Sequence, residues 1–69
     1  MQFTSHLSNI YHSDCDRYRI ELSMPTLSPS IVAAIQRDGT HVHAFADYNK
    51  QKVLLMAKRW CEQDAKAAP

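Results

Sequence analysis

From Arg17 to Met24 apolar and polar side chains alternate without a fault, Tyr18, Ile20, Leu22 and Met24 against Arg17, Arg19, Glu21 and Ser23. Strict period two puts one set on each face of a pleated strand. The pattern predicts a strand over 17–24 with one apolar and one charged face. Pro25 closes it, because proline has no N–H to give a ladder. Residues 2–11 are less regular. Phe3, Leu7 and Tyr11 share one face of a strand, although Phe3, Leu7, Ile10 and Tyr11 also fit helical spacing. Thr4, Ser5, His6, Ser8 and Asn9 are poor helix formers, which favours a strand. The polar turn His12-Ser13-Asp14-Cys15-Asp16 then joins 2–11 to 17–24.

Residues 28–46 contain Gly39, the single glycine of the chain. Two readings compete. In the first, Asp38-Gly39 is the two-residue type I′ loop of a hairpin with strands over about 31–36 and 41–46. Pairing outward from the loop sets Arg37 opposite Thr40, Ile35 opposite Val42, Ala33 opposite Ala44 and Ile31 opposite Ala46. One face is then wholly apolar, and the other carries Val32, Ala34, Gln36, His41, His43 and Phe45. In the second, residues 29–38 form a helix with Ser28 as N-cap, Pro29 in its first turn, Gly39 past its end and a stripe of Leu27, Ile31 and Ile35. The joint sorting of both strands favours the hairpin.

The last segment is a helix, over about 48–65. Lys50 to Lys66 contains neither Gly nor Pro. Asp47 or Asn49 can cap it. Val53, Met56, Ala57 and Trp60 form a stripe at i, i+3, i+4, i+7. Leu54 and Leu55 widen that stripe, and residues 65–69 look frayed. The expected fold is α+β: a small antiparallel sheet of three to four strands (about 2–11, 17–24, 31–36 and 41–46) packed against one C-terminal helix. The helix alternative at 29–38 changes the order to β-β-α-β-α. Val53, Met56, Ala57 and Trp60 should face Tyr18, Ile20, Leu22, Ile35 and Val42.

Sixty-nine residues make a single small domain over 1–69. A core this size is marginal, so an obligate partner or a homodimer is expected. The net charge of +1 is no footprint of a strong polyanion binder. The N-terminus lacks the basic and apolar regions of a signal peptide, and no apolar run nears the length of a membrane span. Starting at Met1, the chain reads as a complete small cytoplasmic protein with both thiols reduced, and no cofactor is expected.

Reactive chemistry is sparse. His12, Cys15, His41 and His43 leave open a tetrahedral metal site, since His41 and His43 would share one strand face, but no CxxC or HxxxH spacing supports it. Cys15 lies between Asp14 and Asp16, whose charges would disfavour a thiolate. Cys61, beside Trp60, reads as a small core residue. One glycine excludes a glycine-rich phosphate loop. Val32-Ala33-Ala34-Ile35-Gln36-Arg37-Asp38-Gly39-Thr40-His41-Val42, with a helix from about Asn49, resembles the hairpin-plus-helix of small phage head–tail joining proteins. The resemblance spans under half the chain. That family has a helix before the hairpin, where this chain has the strand 17–24, so no residue's role carries over.

The expectation is a non-enzymatic protein-binding module, an accessory or inhibitor protein of phage or bacterial origin acting by surface occlusion. Its contact residues would be Arg17, Arg19 and Glu21 on the charged strand face, or Tyr48, Lys52 and Arg59 along the helix edge. The alternative is a weak nucleic-acid binder or transcription accessory, gripping phosphate with Arg17, Arg19, Lys52 and Arg59.

Overall fold

The computed structural model describes residues 1–7, 9–25 and 29–67, with the backbone alone at His6. It is an α+β fold of five strands and one helix: β1 (Phe3–Leu7), β2 (Ile10–Ser13), β3 (Tyr18–Ser23), β4 (Ile31–Arg37), β5 (Thr40–Asp47) and α1 (Lys50–Ala67). The strands form one antiparallel sheet in the order β1-β2-β3-β4-β5, each paired to its neighbour in sequence. α1 crosses one face of the sheet over β3, β4 and β5.

The alternation in 17–24 is realised almost as read. Tyr18, Ile20 and Leu22 are buried under the helix, whereas Met24 lies beyond the strand and is exposed. The segment 2–11 differs more. It is not one strand but β1 followed by the start of β2, which turn near Asn9 and pair with Phe3 opposite Ser13 and Ser5 opposite Tyr11. His12 and Ser13, expected in the turn to β3, therefore belong to β2. Asp16, at φ 60°, helps to turn the chain after it. Nothing marks the β1–β2 turn with Gly or Pro, so the sequence runs polar through it.

Residues 31–37 are strand, not helix. Leu27 and Ser28, which the helix reading needed, lie outside the described residues. Asp38 and Gly39 take φ of 54° and 83°, the pair of positive angles a type I′ loop requires. Arg37 faces Thr40 as expected, but the register then slips. Gln36 faces His41, and Ile35 faces His43 rather than Val42. Val42 is the extra residue of a β-bulge. Beyond it every residue of β5 changes face: Phe45 opposes Ala33 and joins the helix side, while Ala44 and Ala46 turn outward. This corrects the expected faces, in which Ala44 and Ala46 lay with Ile31, Ala33 and Ile35.

The core consists of Tyr18, Ile20, Leu22, Ala33, Ile35, Val53, Ala57 and Cys61. On α1 the buried stripe is thus Val53, Ala57 and Cys61, at i, i+4, i+8. Met56 and Trp60 flank it half-buried, as does Leu54 on the other side, and Leu55 is exposed. Asn49 is the N-cap: its Oδ1 accepts from Lys52 N at 3.1 Å. Asp47 Oδ1 accepts from Asn49 N at 3.0 Å, tightening the chain reversal between β5 and α1. The helix persists to Ala67, beyond the expected fraying from Ala65.

One ionic cluster ties the far end of α1 to the sheet. Tyr18 OH donates to Asp64 Oδ2 at 2.6 Å, and Arg37 Nη1 donates to Asp64 Oδ1 and Oδ2 at 2.8 and 2.7 Å. The bonds from Arg37 and Tyr18 hold Asp64 below the usual carboxylate range. Burial, with the bond to Asp64, pushes the Tyr18 hydroxyl up to about 12.

Candidate protein-binding surface

Because one helix covers one face, the other face of the sheet is bare among the described residues. The pairing aligns its side chains into rows that cross the strands. One row is polar throughout: Thr4, His12, Arg19, Gln36 and His41. The next is mostly apolar, running from Leu7 and Ile10 through Glu21 to Ala34 and Ala44. A shorter third row holds Ser23, Val32 and Ala46. Over β4 and β5 the side chains of the last two rows are Val or Ala, so that corner of the face is flat as well as apolar.

The sheet has two edges. β1 is five residues long and its register with β2 is broken between Ser5 and Leu7. β5 is eight residues long and regular from His43 to Asp47. It contains no Lys, Arg or Pro, the residues that commonly blunt an exposed edge. Among the described residues no strand pairs with its outer side. On the helix side this edge is lined by an aromatic cluster: His43 stacks on Trp60 with centroids 5.2 Å apart and planes 3° from parallel, and meets Phe45 edge-on at 4.7 Å.

The expected contact residues do not converge on one spot. Arg19 and Glu21 share the bare face and pair with each other at 3.7 Å. Arg19 Nε is buried there without a hydrogen-bond partner. Arg17 stands at the end of the sheet, 3.3 Å from Asp38 in the β4–β5 loop. Tyr48 is exposed at the start of the helix, and Lys52 lies 3.7 Å from Asp47. Arg59 is exposed on α1. Three of the four cations expected to grip phosphate are therefore already matched by carboxylates. The β5 edge itself was not legible, since nothing in a strand's residues says whether it ends a sheet.

The other chemistry resolves as follows. The bulge sends His41 to the bare face and His43 to the helix side, so the two do not form the pair expected of a shared strand face. Among the described residues no three His, Cys, Asp or Glu side chains gather around a common point. Both cysteines are free thiols. Cys15 is exposed, with Sγ 3.3 Å from Ser13 Oγ, and that hydrogen bond lowers its pKa despite the opposing charge of Asp14, which reverses the direction expected from its neighbours. Cys61 is buried, and burial pushes its thiol up to about 12. No helix is long and apolar enough to cross a membrane, among the described residues.

No protein-family model, curated protein or solved structure matches the chain. The resemblance to head–tail joining proteins gains no support from these comparisons, and the element before the hairpin is the strand β3.

Proposed function

We propose that the chain is a small non-enzymatic protein-binding module that engages a protein partner along β5 and the flat corner of the bare face, acting by occlusion as an accessory or inhibitor protein. The observation that carries this reading is the open β5 edge. Its unpaired N–H and C=O groups offer main-chain hydrogen bonds to an added strand, the mode of binding that needs least of individual side chains. The adjoining Ala44 and Ala46 allow close approach. Free thiols at Cys15 and Cys61 suit a reducing compartment such as the cytoplasm. Nucleic-acid binding has less support, given the pairing of Arg17, Arg19 and Lys52 with carboxylates.

A photo-crosslinking residue placed at Ala44, and separately at Arg59 on the helix, tests this in the source cell. Protein adducts should form from position 44 and not from 59. Adducts from neither position, or equally from both, would overturn it.

A further inference from the structure

We infer that β5 is the contact between two copies of this chain, paired antiparallel about Phe45 so that their sheets join into one continuous sheet. The inference rests on the reading of β5 as a binding edge and names its occupant.

The argument is one of register. In a two-fold antiparallel pair the same strand meets itself, and residues directly opposite must lie on the same face. The regular stretch of β5, His43–Asp47, allows a two-fold centre at 44, 45 or 46. A centre at Ala44 draws the bulged Val42 into the ladder opposite Ala46, and these two face different ways. A centre at Ala46 sets the Asp47 carboxylate against Phe45. A centre at Phe45 uses all the regular residues. It places His43 opposite the second copy's Asp47, twice by symmetry. It places Ala44 opposite the second copy's Ala46 on the bare side, also twice, and Phe45 on its own counterpart. Base meets acid, methyl meets methyl and ring meets ring. Asp47 retains acceptor capacity for this, since its bonds to Asn49 and Lys52 leave further lone-pair sites on the carboxylate.

The surroundings agree with the register. Phe45, Met56 and Trp60 are only half-buried within one chain. Trp60 and Phe45 both touch His43 at the edge, so the two aromatic clusters would meet over the joined strands and lose their remaining exposure. On the opposite side Ala44 and Ala46 raise no obstacle. β1 has none of these properties, being short, irregular and rich in hydroxyls.

Sedimentation equilibrium of the full chain from micromolar to millimolar concentration should show reversible growth to twice the 7.9 kDa monomer mass. His43→Asp faces two like-charge contacts and should weaken the dimer roughly tenfold. Register is tested in a Cys15→Ser background with Ala44→Cys and Ala46→Cys made singly, both at exposed positions that leave the core intact. Cα atoms directly opposite lie about 4.5–5.5 Å apart, within disulfide reach. Mixing the two variants should give a disulfide-linked dimer that neither forms alone. A chain that stays monomeric throughout, or Ala44→Cys linking to itself as readily as to Ala46→Cys, would overturn the inference. In the crosslinking experiment above, an adduct of twice the chain mass supports self-pairing. An adduct of another mass leaves the binding edge standing and removes the second copy as its occupant. Absence of any adduct removes both.

Discussion

On the covered side of β3 and β4, Tyr18, Ile20, Leu22, Ala33 and Ile35 are shut off from solvent beneath α1. On the bare side the same two strands present Arg19, Glu21, Ser23, Val32, Ala34 and Gln36, none of them buried. The backbone is shared, so the contrast isolates what side chains contribute. The covered face holds the fold together through apolar burial and one buried hydroxyl. The bare face needs only to be compatible with strand geometry, which β-branched, small and long polar residues all are. It is therefore free to be shaped by contact with something else.

Substitutions on the two faces should separate accordingly. Ile35→Ala, at a fully buried position, should cost about 2–5 kcal/mol of unfolding free energy in urea titration. Val32→Ala on the other side of the same strand should cost less than about 1 kcal/mol, since that side chain is only partly buried. Equal losses would show that the bare face is covered in solution.

Next in size is Tyr18→Phe. It removes a hydrogen bond to a charged group and should cost about 1.5–3 kcal/mol near neutral pH. Asp64 is the acceptor, and its pKa is depressed in the folded chain. The stability it confers is therefore full above its unfolded value of about 4 and lost as pH falls through the folded value. The gap between Tyr18→Phe and the parent chain should narrow in melts taken below that pH. A constant gap would show that the hydroxyl matters for packing and not for Asp64.

Trp60 was expected in the helix stripe and stacks at the rim of the buried one, over His43. Trp60→Ala should cost about 1.5–2.5 kcal/mol in the monomer, below the range for a fully buried ring. Gly39→Ala is smaller. A Cβ there meets nothing within 4 Å, so the cost is that of holding an L-residue at φ 83°, about 1 kcal/mol by thermal melt. Last, Arg19→Gln on the bare face should leave stability within about 0.5 kcal/mol, because its ion pair with Glu21 is exposed and its buried Nε makes no bond to lose.

What the sequence made legible follows the same division. β3 and the body of α1 could be read because burial on one side alone imprints a period on the residues. The loop at Asp38-Gly39 could be read because few residues tolerate two positive φ angles in succession. The turn between β1 and β2 left no such mark, since it holds no Gly or Pro and Ser8-Asn9 follows a segment already polar at Thr4, Ser5 and His6. The bulge at Val42 left none either: valine is at home in a regular strand. Of the residues expected to make contact, Arg19 and Glu21 were legible from alternation as members of one charged face. The β5 edge was not, because edge status belongs to the order of strands and not to any one of them.

Val42 acts on β5 as a single inserted letter acts on a reading frame. Upstream of it the alternation has one meaning, and downstream the same alternation has the opposite one until the strand ends. A chain lacking that one residue would keep nearly the same composition, length and hairpin loop. It would also keep Phe45 on the helix side and the alanines outward, because without Val42 the remaining residues pair as they do now, His43 with Ile35 and Phe45 with Ala33. What would reassign the surface is Val42 taking a regular place opposite Ile35, which would set Ala44 opposite Ala33 and turn Phe45 outward.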